Sequence, residues 1–177
     1  MKLDNITIEE AELFIEELTP KETKSFNIKS ELTIRTSVFI KGVRNGNGNG
    51  LIAIGGIAKH YNLFCYPYYI VKEGYQGNGI GSALANSNFE FAEKEGILLF
   101  VTSVDRQNTF SVHILKKQGY KVIASYKESD YTYVPFGKRG EVVAKLLPII
   151  IRVYLSPFGN IFRYWRIKKY HMERKKQ

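Results

Sequence analysis

The sequence predicts an α/β fold, more closely an α+β domain built on a mixed sheet. Segments with apolar residues three and four apart alternate with short segments of alternating or continuous apolar residues, the patterns of helices and strands. Glycine and asparagine mark the boundaries between these segments. With 44% hydrophobic and 14% aromatic residues, a chain of 177 residues is large enough for one packed core.

The first half of the chain is predicted to form one helix and three antiparallel strands. Residues 7–18 begin with a Thr-x-x-Glu capping box and carry their apolar residues on one helical face. Residues 36–43 and 51–59 predict a hairpin, because a turn rich in Gly and Asn separates them. Residues 62–73 predict a third strand, in which Pro67 indicates a bulge or an interruption of the ladder.

The second half is predicted to alternate helix and strand. Residues 82–96 have the composition of a helix that stops at a glycine. Residues 97–104 are nearly all apolar, as is typical of a strand buried on both faces. A second helix over 108–119 starts at a capping asparagine, and two further strands follow over 120–127 and 130–136.

Composition excludes several classes of protein. The single cysteine, Cys65, excludes an internal disulfide framework and a multi-cysteine zinc site, so no metal is expected. Residues 1–23 are acidic where a secretory signal would be cationic and apolar, which favours a cytoplasmic setting. The net charge of +9 is concentrated in the last seventeen residues, so a nucleic-acid-binding surface over the whole domain is not expected.

One glycine-rich segment, Gly74 to Leu84, indicates an anion site. It contains four glycines within eight positions and leads directly into a predicted helix. The first N–H groups of a helix lack partners and point toward its N-terminus, and glycines let a phosphate approach the backbone. The segment lacks the Gly-Lys-Ser/Thr of a nucleotide-binding P-loop, and residues 97–104 lack the acid that a Rossmann unit needs. The alternative is a turn that serves geometry only.

The same segment resembles the acyl-CoA signature of the GNAT superfamily of N-acetyltransferases. Gln76, Gly79 and Gly81 occupy the three defining positions of Gln/Arg-x-x-Gly-x-Gly/Ala, and Val71 ends the preceding strand five residues earlier. The resemblance implies an acyl-CoA-binding fold with acetyl-CoA as the cosubstrate.

A second motif of that family follows about thirty residues later, beyond the buried strand. Asn108 is followed by the small residue Ser111, and Lys116 to Tyr120 stands where the family often has Lys-x-Gly-Phe. The resemblance covers roughly residues 38–127. Together the two motifs imply an N-acetyltransferase in which an amine attacks the thioester directly.

The resemblance also implies which residues bind coenzyme A. The end of the third strand would pair with the pantetheine amides, an N–H near Val71 would polarise the thioester carbonyl, and Asn108 would steady the pantetheine arm. The backbone of the glycine turn would hold the pyrophosphate. The implied binding residues are Tyr69, Ile70, Val71, Gln76, Gly77, Asn78, Gly79, Ile80, Gly81, Ser82 and Asn108.

The proton-handling positions depart from the family pattern. The two positions at which family members often carry a glutamate base are Ser103 and Cys65 here, and the position of the usual acidic tyrosine is Leu115. We name Ser103, as the residue that would position a water, and Cys65 as the catalytic candidates. An amine with a pKa near 10 needs help to lose its proton, so a relay is expected.

Two functions therefore stay open. The first is acetyl transfer from acetyl-CoA to a primary amine on a protein, a small amine or an amino sugar. The second is a degenerate domain that binds coenzyme A as a sensor or scaffold without catalysis.

The C-terminal residues are predicted to be a separate extension. Residues 1–140 are assigned to the GNAT-like domain, and residues 141–177 to a helical extension rich in basic and aromatic residues. This extension would pack on the core or on a partner subunit, as in a homodimer, or lie on an anionic membrane surface. Binding to nucleic acid is the least favoured of these interpretations.

Overall fold

The computed structural model describes residues 1–20, 22, 30–46, 48, 50–61 and 64–149. Its centre is a seven-stranded sheet in the order β1-β2-β3-β4-β5-β7-β6. Neighbouring strands are antiparallel except β4 and β5, which are parallel. The strands are β1 (Asp4–Asn5), β2 (Ser37–Arg44), β3 (Leu51–Tyr61), β4 (Phe64–Val71), β5 (Leu99–Asp105), β6 (Lys121–Tyr126) and β7 (Ser129–Pro135).

Two helices begin where their capping residues predict, whereas the helix predicted over residues 82–96 begins two residues earlier, at Ile80. Thr7 and Glu10 form both hydrogen bonds of the capping box at the start of α1, and the Asn108 side chain accepts from the Ser111 N–H at the start of α4. The helices named in this article are α1 (Ile8–Glu16), α2 (Ser30–Arg35), α3 (Ile80–Lys94), α4 (Thr109–Lys117) and α5 (Gly137–Ala144). The predicted mixed α/β fold is confirmed, although β1 and α2 were not predicted because both are too short to show a period.

Helices cover both faces of the sheet. On one face, Phe14 of α1 packs with Ile54 and Tyr68 of the central strands. On the other face, Leu84 of α3 packs with Ala53, whose side chain points opposite to that of Ile54 because strand side chains alternate. The central strands are therefore buried on both faces of the sheet. Helix α3, which follows the glycine turn, covers the face that contains Ala53.

The parallel strands β4 and β5 separate soon after they meet. Their ladder contains the single pair Cys65 and Phe100. The predicted bulge at Pro67 is absent from the ladder between β3 and β4, where Ile57 pairs with Pro67 in regular register. For this ladder the prediction is wrong. On the β5 side the ladder has already ended at Cys65, and a cleft opens toward the carboxyl ends of the two strands. Such a crevice is where open α/β sheets bind ligands.

The start of the predicted extension packs on the domain. Helix α5 crosses the predicted boundary at residue 140, and a Cβ atom on Gly140 would lie 2.2 Å from the Leu98 carbonyl oxygen. This contact brings the α5 backbone directly against the residue that precedes β5. Residues 150–177 lie outside the described part of the chain, so the boundary and the basic tail stay predictions. Within the described residues, no helix combines the length and apolarity needed to cross a membrane.

Candidate functional site

The cleft between β4 and β5 is lined by aromatic, hydroxyl and amide side chains. Four consecutive residues of each strand form its two walls, and α3 and α4 close it from one face. The lining residues are Tyr66, Pro67, Tyr68, Tyr69, Ala85, Asn88, Phe89, Thr102, Ser103, Val104, Asp105, Asn108, Ser111, Leu115, Gln118 and Tyr120. Asp105 is the one charged side chain among these described lining residues, so the cleft has no cation of its own.

The glycine turn at the open end of the cleft exposes a helix N-terminus. Gly74, Gly77 and Gly79 have φ angles of 90°, 81° and 75°, which side chains rarely adopt. Gly79 is the N-cap of α3 and therefore offers no side chain to the first helical N–H groups. No acidic residue stands in that first turn. Exposed N–H groups and the positive end of the helix dipole both favour an anion here.

The side chains of the turn stabilise its shape. The Gln76 amide donates to the Val71 carbonyl at 3.2 Å, and the Asn78 amide donates to the Tyr75 carbonyl at 3.3 Å. The ammonium of Lys72 lies 2.7 Å from a Glu17 carboxylate oxygen of the α1 region. Residues 73–93 contain no Lys or Arg. A phosphate at this turn would therefore meet backbone N–H groups.

Asn108 caps α4 at the same end of the cleft. Its side-chain oxygen accepts from the Ser111 N–H at 3.1 Å, which leaves its amide nitrogen as the group that can donate to a ligand. Ser111 of α4 and Tyr69 of β4 both line the cleft, so the start of α4 lies near the β4 wall.

Three of the four tyrosines that line the cleft lie near one another. Burial raises the pKa of Tyr69 to about 12, and the nearby Ser111 hydroxyl opposes the shift. Burial also raises the pKa of Tyr66, and the pKa of Tyr120 lies well above its usual range because of burial and the nearby Tyr69 and Tyr66. All three phenols are therefore neutral near pH 7 and can donate hydrogen bonds.

The two catalytic candidates are placed very differently. Ser103 lines the cleft, as does Tyr66 on the opposite wall. Cys65 is buried in a hydrophobic cluster with Ile57 and Phe100, and burial raises the pKa of its thiol. The Cys65 environment disfavours the thiolate, which is the nucleophilic form of cysteine.

The other predicted binding residues occupy three places. Tyr69 and Asn108 line the cleft. Ile70 is buried on the α1 face, and Val71 ends β4 beyond the lining residues. The glycine turn and its helix stand at the open end of the cleft, so all of these residues lie along one path from β4 to α3.

Asn88 is a lining residue that sequence reasoning missed. Its side chain is 1% exposed, and its amide donates to the carbonyl oxygens of Gly56 and Tyr68 at 3.1 and 3.3 Å. Because the nitrogen faces two acceptors, the orientation of the amide is settled, and its buried oxygen has no hydrogen-bond partner among the described residues. The sequence signal that could have identified Asn88 is a polar residue on the apolar face of a predicted helix.

Tyr66, Tyr120 and Asp105 were also missed as cleft residues. In the sequence, Tyr66 and Tyr120 cannot be told from aromatic residues of the core. Asp105 directly follows an apolar segment, where a polar residue only marks the end of a strand. The Asp105 carboxylate accepts from the Gln107 N–H at 2.8 Å at the rim of the cleft. Among the described residues, no cluster of three or more His, Cys, Asp and Glu side chains could hold a metal ion.

A cleft between parallel strands, with a helix N-terminus at its open end, can hold an elongated ligand that carries a phosphate group. The model of the acetyltransferase (GNAT) family matches residues 6–120, more than half of the chain. The chain therefore belongs to the GNAT family of acetyltransferases. A comparison with curated proteins gives no match.

Solved structures of acetyltransferases share this fold. The chain is similar to the GNAT domain of S. lividans PAT, with 17% identity, a TM-score of 0.61, and coverage of 76% of this chain and 89% of that one. It is similar to the PaiA N-acetyltransferase from Thermoplasma acidophilum in complex with coenzyme A, with 18% identity, a TM-score of 0.59, and coverage of 76% and 98%. It is also similar to yncA from Salmonella typhimurium, a putative acetyltransferase solved with acetyl-CoA, with 12% identity, a TM-score of 0.59, and coverage of 76% and 93%.

Proposed function

We propose that this protein is an N-acetyltransferase that moves the acetyl group of acetyl-CoA to a primary amine in the cytoplasm. The observation that carries this proposal is the separation of β4 from β5 after the pair Cys65 and Phe100. Beyond that pair the edge of β4 faces a cleft, and the cleft opens at the glycine turn. An extended chain that carries a terminal pyrophosphate fits both features.

The residues on this path have complementary roles. The backbone of β4 from Tyr69 to Val71 pairs with the amides of the pantetheine arm, as an added strand would. The first N–H groups of α3 after Gly79 hold the pyrophosphate. The Asn108 amide donates to the pantetheine arm from the other wall, and a β4 N–H near Val71 polarises the thioester carbonyl.

The charge of the cleft favours an amine acceptor. Its described lining contains no cation and one carboxylate, Asp105. An ammonium group can enter this cleft without repulsion and lie against the aromatic rings. Ser103 positions a water that takes one proton from the ammonium group, so that the neutral amine attacks the carbonyl carbon. As the C–S bond breaks, the nitrogen loses a second proton to the same water, and the thiolate leaves and takes a proton from solvent. The acceptor is a protein amine, a small amine or an amino sugar.

Tyr120 stabilises the departing thiolate in place of the missing tyrosine at position 115. Its N–H donates to the Leu115 carbonyl at 3.0 Å, and both residues line the same cleft. In the described part of the chain, no hydrogen bond is made by the Tyr120 hydroxyl. A free thiol has a pKa of about 8.5, well below that of this buried phenol, so Tyr120 donates a hydrogen bond to sulfur and keeps its proton.

Replacing Tyr120 by phenylalanine is expected to lower kcat by about 10- to 100-fold, because a hydrogen bond to a charged group contributes about 1.5–3 kcal/mol. The ring keeps its contact with Phe89, 6.0 Å between centroids, so the melting temperature should stay close to that of the parent. Steady-state kinetics with calorimetric titration of coenzyme A separate the two effects. If kcat is unchanged, the thiolate is stabilised by water or by Tyr69 and not by Tyr120.

A thiol-release assay with acetyl-CoA tests the function itself. The assay uses a panel of polyamines, amino sugars, aminoglycosides and peptides, alongside calorimetric titration of coenzyme A. Binding together with amine-dependent thiol release supports the enzyme. Binding without release supports the second candidate, a domain that senses coenzyme A, which the apolar surroundings of Cys65 favour. Absence of both binding and release would refute the proposal.

Deletion of residues 162–177 is expected to leave coenzyme A affinity within about twofold of the parent value, because every contact proposed above lies before residue 121. We propose that this basic and aromatic tail contacts an anionic membrane surface. Sedimentation with anionic vesicles should fall on deletion. A loss of coenzyme A affinity with unchanged sedimentation would show that the tail packs on the core or across a homodimer.

A further inference from the structure

The backbone of β4 has one edge toward β3 and the other toward β5 and the cleft. Just beyond β4, the Lys72 N–H donates to the Ile52 carbonyl of β3 at 2.9 Å. In an antiparallel ladder, residues that hydrogen-bond to the partner strand alternate with residues that do not. The register between β3 and β4 is regular from Val71 back to Cys65, so the alternation holds along this stretch. The even-numbered residues of β4 therefore face β3, and the odd-numbered residues face β5 and the cleft.

Pro67 is the first residue after Cys65 whose backbone faces β5 and the cleft. The pair of Cys65 with Phe100 is the single pair of the β4–β5 ladder. A proline has no N–H, so Pro67 cannot donate the hydrogen bond that would continue this ladder. The missing N–H does not concern β3, and Ile57 pairs with Pro67 there in regular register. The proline therefore interrupts one edge of β4 and leaves the other edge intact.

The group on β5 that residue 67 would meet is the Val101 carbonyl. The register between β5 and β7 is regular over the whole of β5, and directly after β5 the Arg106 N–H donates to the Glu128 carbonyl at 3.0 Å. By the same alternation, the even-numbered residues of β5 face β7, and Val101 faces β4. In a parallel ladder one step longer, an N–H at position 67 would donate to the Val101 carbonyl. Pro67 instead lines the cleft.

We propose that Pro67 keeps β4 and β5 apart and thereby holds the cleft open for acyl-CoA. The inference rests in part on the proposed function, since acyl-CoA is the ligand of that proposal. Pro67 is a positioning residue, because the N–H groups proposed to meet the ligand belong to Tyr69 and Val71, the next two residues on the same edge. A cleft that is open before binding lets acyl-CoA enter without first breaking hydrogen bonds between strands.

The test replaces Pro67 by alanine in the full chain. The new N–H can donate to the Val101 carbonyl and extend the parallel ladder by one step. In amide hydrogen exchange of the free variant, followed by NMR, the amide of residue 67 should exchange at least about tenfold more slowly than an unstructured amide. In calorimetric titration, coenzyme A affinity should fall by about 2- to 10-fold, because binding must then break one net hydrogen bond.

Pro135→Ala is the matched control. Pro135 is the last residue of β7, and the Phe136 N–H that follows it donates to the Leu98 carbonyl on the β5 side. An N–H at position 135 therefore points away from β5. Both variants lose the restriction that a proline places on the unfolded chain, so similar falls in melting temperature are expected. Only the variant at Pro67 should lose coenzyme A affinity.

Pro67→Val is the second variant and replaces Pro67→Ala if alanine does not fold, as judged by circular dichroism. Valine also restores the N–H and has a stronger preference for strands, so it should weaken coenzyme A binding at least as much.

The outcomes separate the inference from the proposed function. If the parent does not bind coenzyme A, the proposed function fails, and hydrogen exchange at residue 67 still decides whether the ladder is extended. If that amide exchanges like an unstructured one, the role of Pro67 is refuted. It is also refuted if the parent binds coenzyme A and the folded Pro67 variants bind it as tightly or more tightly.

Discussion

Replacing Gly79 by glutamate is expected to weaken coenzyme A binding by about a hundredfold or more while the domain stays folded. Among the described residues, nothing lies within 4 Å of a Cβ atom placed on Gly79, so the new side chain has room on this side of the turn. The carboxylate would stand at the N-terminus of α3, where the pyrophosphate is proposed to bind. One charge repelled at about 4 Å costs about 1 kcal/mol in water and about 4 kcal/mol at an effective dielectric constant of 20.

Gly48→Glu is the matched control for this variant. Gly48 has a φ of 74° against 75° for Gly79, and a Cβ atom there also meets nothing within 4 Å. Both variants therefore carry the same left-handed strain of about 1–2 kcal/mol, which lowers the melting temperature by roughly 2–8 °C in a chain of this size. Only Gly79→Glu should lose affinity.

Titration with coenzyme A and with dephospho-coenzyme A locates the repelled group. Equal losses of affinity for the two ligands would place the glutamate against the pyrophosphate, which both ligands carry. Gln76→Ala should cost much less, because that side chain donates to the Val71 carbonyl within the turn. Parent-like binding by Gly79→Glu would show that the turn serves geometry alone.

The free energy of unfolding of the Asn88→Asp variant is expected to be about 4 kcal/mol lower at pH 7 than at low pH. The side chain is 1% exposed and faces the carbonyl oxygens of Gly56 and Tyr68, which repel a carboxylate. Burial would raise the folded-state pKa of the new carboxyl group above its unfolded value of about 3.9.

The sign of the pH dependence follows from that shift. Below about pH 4 the carboxyl group is protonated in both states, and the destabilisation from this source is absent. Above that pH the unfolded state loses its proton first, so the free energy of unfolding falls by about 1.4 kcal/mol per pH unit until the folded-state pKa is reached. Urea unfolding of parent, Asn88→Asp and Asn88→Leu at pH 5 and pH 7 measures this slope.

The leucine variant is the control, because it removes the same two hydrogen bonds and introduces no titrating group. Its stability relative to the parent should not change with pH, whereas that of Asn88→Asp should fall as the pH rises. A pH-independent difference for Asn88→Asp would mean that water reaches the carboxylate and that position 88 is not enclosed.

Local patterns accounted for most of the secondary structure. The capping box at Thr7 and the cap at Asn108 form the hydrogen bonds that their sequences predict, because each joins residues three apart. The glycine turn and the two family motifs predicted the family, which is confirmed. The assignments of individual residues to coenzyme A binding and to catalysis stay predictions.

Contacts between distant residues decided the walls of the candidate site. Tyr66 lines the same cleft as Thr102 and Ser103 of another strand, and Asn88 donates to the Gly56 carbonyl across 32 positions. No pattern within one element encodes such a pair, since it depends on how strands and helices pack. The surroundings of the two catalytic candidates also depend on packing between distant residues. Ser103 lines the cleft, whereas Cys65 is buried in a hydrophobic cluster.

The amino-acid sequence by itself determined the order of the main elements, the starts of α1 and α4 and the glycine turn that ends at Gly79, because these depend on neighbours three or four residues away. Only the tertiary structure decided that β4 and β5 part after Cys65 and Phe100 and that Tyr66 and Ser103 line the cleft between them. The depth and lining of the cleft come from that separation, which is a property of two strands some thirty residues apart in the chain.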